Sequence, residues 1–285
     1  MNRINTIILG ILCATSSASS MSIERLDFTW SDINTRDVLR WEGDTAVVRH
    51  GGNMMQDLSC RISLDTREVD IAVDRFGIPR AWASISYSSP EELKEKQRQL
   101  QKKASLHGIK MMESGNQFAI DYSWVITQSE RELRDAAKSI RNSARRQGYR
   151  SRRELVGAFA AFVQDLNYRI PPDHRINDDG EEILTVGAMM PLETLSKQWG
   201  DCDSKSMLFA TLVRSIDLVQ VSFIVMYEHL FAAVQLVSDK GDHFIRHDGD
   251  DWVLVELTDA WPIGRVPEKH LTAIENEKYS IVELD

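Results

Sequence analysis

The chain has 285 residues, 42% hydrophobic and 27% charged, an ordinary globular composition with room for one large domain or two small ones. A formal net charge of −9 argues against a nucleic-acid partner, because phosphate backbones select basic surfaces. No internal run is long and apolar enough to span a bilayer.

The first twenty residues carry the pattern of an export signal, expected over 1–20. Arg3 supplies a positive end; Ile7, Ile8, Leu9, Ile11, Leu12 and Ala14 form a short apolar run; small residues from Thr15 to Ser20 follow. Cleavage after Ala18 or Ser20 predicts a periplasmic protein, or a secreted one, with no stable membrane span afterwards. An uncleaved anchor is the alternative. Leu12 is too bulky for a lipoprotein signal ahead of Cys13. Export makes cysteine use informative, since the mature chain keeps only Cys60 and Cys202, which could form one disulfide. Cys60 alternates with Arg61 inside Leu58 to Ile62 and reads as a small buried hydrophobe.

Residues 21–127 read as an accessory, β-rich region. Trp41, Thr45 to Val48, Arg61 to Leu64, Val69 to Val73 and Trp82 to Tyr87 are short apolar or alternating runs, punctuated by Gly51-Gly52, Asp74 and Gly77 to Pro79. Pro90 opens a helix, Glu91 to Lys103, without a wide apolar stripe, so a solvated connector is expected. Gly108 and Gly115 bracket a break. Phe118 to Thr127, aromatic and β-branched, reads as a strand.

The remainder, 128–285, changes period. Leu133, Ala136, Ala137 and Ile140 share one helix face behind Ser129, and Gly148 follows the end. The basic run Arg141, Arg145, Arg146, Arg150, Arg152 and Arg153 reads as a solvated face. Leu155, Val156, Phe159, Phe162, Val163 and Leu166 mark an amphipathic helix that Pro171-Pro172 cannot continue. A polar loop, Asp173 to Gly180, is followed by a short helix from Pro191 to Lys197, a turn at Gly200 and an apolar helix from Met207 to Ile216. Val221 to Tyr227, Leu230 to Val237, Phe244-Ile245 and Trp252 to Leu257 then read as strands. Helices first and hairpin-linked strands afterwards predict an α+β domain, helices packed on an antiparallel sheet.

Three residues stand out chemically. Cys202 falls at a helix start, where unpaired N–H groups and the dipole favour a thiolate. Asp201 and Asp203 would raise its pKa, and Lys205 would oppose them. His229 stands at the mouth of an apolar strand. Glu256 is a carboxylate inside another, costly unless paired, and His229 Nδ1 is its expected partner. His243 and His247, with Asp242, Asp248, Asp250 and Asp251, share a strand face as two metal ligands would; the pattern is read instead as a solvated hairpin tip, with no metal and no cofactor. His50, His107, His174 and His270 have no evident partner.

Gly200-Asp201-Cys202-Asp203, His229-Leu230-Phe231 and Glu256-Leu257-Thr258 together resemble the transglutaminase-like superfamily of papain-type cysteine enzymes, and its exported bacterial branch most. Phe162 to Tyr168 and Pro191 to Leu195 join the resemblance, which covers residues 129–265; residues 21–127 match nothing in it. It implies a papain/transglutaminase-like core with Cys202 as nucleophile, His229 as general base and Glu256 as orienting acid. The family usually has Asp at the third place. Asp259 is the rival, turned to the opposite face by strand alternation. Tyr168 matches an aromatic position near the oxyanion site, and Gln164 is a second candidate donor. The implied chemistry is acyl transfer through a thioester on a protein or peptide substrate, with peptide or amide hydrolysis ahead of transamidation and glutamine deamidation. A scaffold without catalysis is the alternative of a different class.

Overall fold

Period-two burial sets the N-terminal strands. In β1 (Ile23–Asp32), Leu26, Phe28, Trp30 and Asp32 turn inward while their neighbours stay wet. The computed structural model describes residues 22–34, 37–42, 45–50, 56–112 and 117–284, with backbone alone at 37–50; the expected export signal, Gly51-Gly52 and Gly115 lie outside these residues. A hairpin of β2 (Asp37–Glu42) and β3 (Thr45–His50) leads to β4 (Gln56–Asp65), which pairs antiparallel with β1. Asp65 then accepts the Arg67 N–H and starts α1 (Thr66–Arg75). Val69 to Val73, expected as a strand, therefore lies in a helix, with Val69 and Ala72 against the core at helical spacing. β5 (Ile78–Pro79) precedes a short 3-10 turn at Arg80–Ala83, so Trp82 to Tyr87 is not a strand either. Trp82 packs inward rather than pairing its backbone.

The connector is a helix as expected. α2 (Pro90–Ser105) is capped by Ser89, begins on Pro90 and buries only Leu100 and Ala104. A short hairpin, β6 (Ile109–Met111) and β7 (Phe118–Ile120), leads into α3 (Tyr122–Arg146). The strand expected over Phe118 to Thr127 stops at Ile120, because the Asp121 carboxylate accepts the Trp124 N–H and nucleates helix. The expected boundary at 127/128 falls inside α3. A capping box of Ser151 and Glu154 opens α4 (Arg152–Gln164), buried on every side from Leu155 onward rather than on one stripe.

β8 (Asn167–Tyr168) leaves α4. β9 (His174–Ile176), inside the segment expected as a loop, pairs with β10 (Glu182–Leu184), which also pairs with β5. α5 (Pro191–Lys197), β11 (Trp199–Gly200) and α6 (Cys202–Arg214) follow, with β11 parallel to β8. β12 (Val221–Met226), β13 (His229–Gln235), β14 (Phe244–His247), β15 (Asp250–Val255), α7 (Glu268–Glu275) and β16 (Ser280–Glu283) complete the chain. The last two were not read from the sequence. Five strands form one antiparallel sheet in the order β14-β15-β13-β12-β16.

One sheet face, carrying Phe223, Leu230, Ala232, Val234, Val253 and Val255, joins the main core with α4 and α6; the other, with Ile224, Phe231 and Leu254, is covered by Leu271 and Ile274 of α7. The fold is mixed α+β with antiparallel sheets. The N-terminal strands share the main core. Phe28 and Trp30 meet the Phe162 ring edge-on at 5.0 and 5.1 Å, and Trp30 Nε1 donates to the Ala158 carbonyl. Among the described residues no helix is long and apolar enough to cross a membrane.

Candidate active site

The thiol is placed by a tight approach of two elements. α5 ends with Gln198 in the left-handed region (φ 57°), and β11 turns directly into α6. At Gly200 a Cβ would lie 2.9 Å from Ser204 Cβ and 3.2 Å from Thr194 Cγ2, so no larger residue fits without movement. Asp201 caps α6 by accepting the Ser204 N–H at 3.0 Å, which makes Cys202 the first helical residue, as expected. Its electrostatics differ from expectation. Burial pushes the thiol up, Asp203 and Asp201 push it further, and a hydrogen bond from the Leu230 backbone N–H offsets only part. The thiol donates to Asp203 Oδ2 at 3.5 Å, and Tyr122 donates its hydroxyl to the other oxygen of the same carboxylate. Lys205 does not oppose these acids; its ammonium turns away and donates to the carbonyls of Leu166 (2.8 Å) and Gln164 (3.2 Å). Asp201 itself is pushed up to about 6 by burial.

The base arrives on a two-residue hairpin turn. Met226 pairs with His229 across Tyr227-Glu228, with Glu228 at a positive φ of 61°. His229 and Glu256 meet at 2.9 Å, through Nε2 and Oε2. The pairing was expected on Nδ1; the turn presents the far edge of the ring to Glu256 instead, and Nδ1 has no hydrogen-bond partner among the described residues. Glu256 is 1% exposed, just beyond β15. Its other oxygen accepts the Thr258 N–H at 2.7 Å and hydroxyl at 2.6 Å. Burial favours the neutral acid, but these donors and His229 outweigh it and hold the carboxyl below its ordinary range. Asp259, the rival, is exposed and accepts the Ala260 N–H.

The two weaker candidates part company. Tyr168 is 53% exposed at the rim, and its hydroxyl is pushed up by burial and then by Cys202, Asp201, Asp203 and Glu256. Gln164 is no oxyanion donor, because its buried amide donates at 2.8 Å to the carbonyls of both Glu256 and Trp261. It anchors the acid strand instead. His270 of α7, which had no partner in the sequence, stacks on His229 with ring centroids 4.5 Å apart.

Other cysteines and histidines stand apart from this cluster. Cys60 and Cys202 are both free thiols, so the disulfide is not formed; Cys60 is half-buried between Leu58 and Ile62 and its thiol is pushed up to about 12 by burial. His243 approaches the Gly264 carbonyl through Nδ1, while His247 pairs with Glu283, so the two imidazoles serve different partners. A cavity of about 930 Å³, lined in part by Arg152, Arg153, Gln235 and Arg246, opens at the opposite end of β13 from His229.

The assembled groups are a half-buried thiol at a helix start, an imidazole fixed by a buried carboxylate, and a half-exposed aromatic rim. Thiol, imidazole and carboxylate are the group types that nucleophilic attack on a carbonyl uses. The sequence matches no family model and no curated protein, and the fold matches no solved structure.

Proposed function

We propose that this protein is a thiol-nucleophile acyl-transfer enzyme with a papain/transglutaminase-like core, acting on peptide or amide bonds of a protein or peptide substrate. The observation that carries the reading is the 2.9 Å pairing of His229 Nε2 with a buried carboxylate, in a chain whose half-buried Cys202 opens a helix. In this reading His229 takes the Cys202 proton on Nδ1 as sulfur attacks the carbonyl carbon. The imidazolium then returns that proton to the departing amine, leaving a thioester. Water attacks the thioester with His229 again as base, releasing the acid and restoring the thiol. Glu256 fixes the ring and its tautomer throughout.

The protein is proposed to act outside the cytoplasm, on the strength of the 1–20 segment; a mature N-terminus at Ser19 or Met21 is the expected finding, and an intact Met1 in the cytoplasm contradicts it. A non-catalytic scaffold is the second reading, favoured by one observation: burial, reinforced by Asp203 and Asp201, holds the thiol protonated.

Intact-mass detection of a covalent adduct with a thiol-directed amide probe separates the two. An adduct on Cys202 alone, abolished in Cys202→Ala and slowed in His229→Ala, is expected. Glu256→Gln should slow it by roughly two to four orders of magnitude while Asp259→Asn changes it little. Equal, slow labelling of Cys60 and Cys202 supports the scaffold.

A further inference from the structure

α7 brings a second imidazole to the candidate base. The His270 ring lies on the His229 ring with 4.5 Å between centroids and 14° between planes. Phe231 closes the group, meeting His229 edge-on at 4.5 Å and His270 at 5.2 Å. His229 is thus tied at Nε2 by Glu256 and covered on one face by His270. A flip about its Cβ–Cγ bond would swap Nε2 with Cε1 and Nδ1 with Cδ2, break the Glu256 bond, and need that covered space.

Charge assigns different protonation roles to the two rings. Two stacked imidazolium ions repel. Glu256 bonds His229 at 2.9 Å, so the proton gained in catalysis is favoured there. Among the described residues His270 Nε2 is buried with no hydrogen-bond partner, so a charge on that ring finds no acceptor there. Burial first, then His229 and Lys269, hold the His270 pKa below the ordinary imidazole value, with Glu256 pulling the other way. Ligand atoms of His229, Glu256 and His270 lie within 4.8 Å of one another. The stack nevertheless argues against chelation, because near-parallel rings hold their lone pairs in parallel planes that do not converge on one ion.

We propose that His270 is a positioning residue for His229: its neutral ring, stacked on the base, locks the imidazole with Nε2 on Glu256 and Nδ1 left for the thiol. This rests on the role proposed above for His229. Protonating His270 should break the stack, so thiol reactivity should fall at acid pH when His270 charges.

The test is the rate of iodoacetamide alkylation of Cys202 across mildly acidic to alkaline pH, together with the His229 tautomer read from side-chain nitrogen NMR. His270→Phe keeps a flat ring and removes the charge. It should alkylate within about twofold of wild type at neutral pH, retain its rate further into acid, and keep the Nε2–H tautomer. His270→Ala removes the stack. It should slow alkylation about tenfold, a fraction of what general-base assistance supplies, and show mixed tautomers. Wild-type rate, pH profile and tautomer in both variants, with His229→Ala still slow, would overturn the proposal while leaving the enzyme reading intact. So would a Phe variant as slow as the Ala variant, since stacking would then not be what matters. If His229→Ala itself alkylates like wild type, the enzyme reading fails first and His270 has no base to position.

Discussion

At Cys202 burial already favours the protonated thiol, and two opposed fields act beside it. A helix N-terminus favours an anion by about 0.3–1 kcal/mol. A carboxylate 3.5 Å from the sulfur opposes it by roughly 5 kcal/mol even at an effective dielectric constant near 20. Asp203 therefore wins, and the resting thiol keeps its proton. Replacing Asp203 with Asn keeps a partner for the Tyr122 hydroxyl and removes the charge. The thiol pKa should drop by at least one unit, with alkylation at neutral pH at least about tenfold faster. A pH–rate profile reads both. An unchanged profile would mean that Asp203 does not face the sulfur in solution. Of this residue-scale arrangement, Cys202, His229 and Glu256 were legible because each breaks its local pattern: a thiol at a helix start, a histidine at a strand mouth, an acid in an apolar run. The stacked His270 was not legible, because α7 lies far along the chain and stacking leaves no local periodicity.

The candidate triad stays together because the end of α4 holds both of its sides. Helix ends leave carbonyls unpaired. Lys205, one turn into α6 and fully buried, donates to the Gln164 and Leu166 carbonyls, while the Gln164 side chain holds the carbonyls of Glu256 and Trp261. The helix of Cys202 and the strand of Glu256 thus share one anchor. Lys205→Met leaves two helix-end carbonyls without donors and should cost about 1–3 kcal/mol in urea unfolding near pH 7. Burial lowers the Lys205 pKa from 10.5 to about 8, partly offset by Glu256, Asp165 and Asp259. On raising pH the folded state loses this proton before the unfolded state does. The cost of holding the charge is therefore full below about pH 8 and fades toward pH 10.5. The stability of wild type relative to Lys205→Met should grow across that window, by up to about 3 kcal/mol. A flat difference would show that Lys205 is not buried as an ammonium. The α4 anchor could not be read from one sequence, since side chains capping a distant helix follow no spacing rule. The strands between Val221 and Leu257 could, because their runs and turns are local. The starts of α1 and α3 were misread for a related reason. Val69 to Val73 and Trp124 to Thr127 are rich in residues that favour strands, and the signals that overrule them, Asp65 and Asp121, are single caps.

Across the whole molecule, the N-terminal strands are wedged into the body that holds the site. Buried Asp32 accepts from the Tyr149 hydroxyl at 2.8 Å and from both the backbone and side-chain amides of Asn34, and Asn34 Oδ1 accepts the Ile263 N–H at 2.8 Å. Gly157 of α4 faces this network: a Cβ there would lie 2.9 Å from Asn34 Cγ and Nδ2. Two effects of Gly157→Ala therefore compete. Alanine in a helix interior gains about 1 kcal/mol over glycine, while overpacking a fixed neighbour costs about 1–3 kcal/mol. Asn34 is held by three hydrogen bonds and cannot yield freely, so clash should win and Gly157→Ala should destabilise the full chain. Asn34→Ala alone should also destabilise, because Asp32 and the Ile263 N–H lose partners. In the double variant most of the clash is gone, so the alanine at 157 should be nearly neutral or slightly favourable there. The two changes should thus couple by 1 kcal/mol or more in urea unfolding, far above the few tenths expected of unconnected sites. Strict additivity, or a stabilised Gly157→Ala single variant, would mean that residues 22–34 are not docked on α4 in solution. In that case residues 128–285 should fold alone. If the coupling is found, that fragment should fail to unfold cooperatively, because cutting there divides α3 and uncovers Ala158 and Phe162.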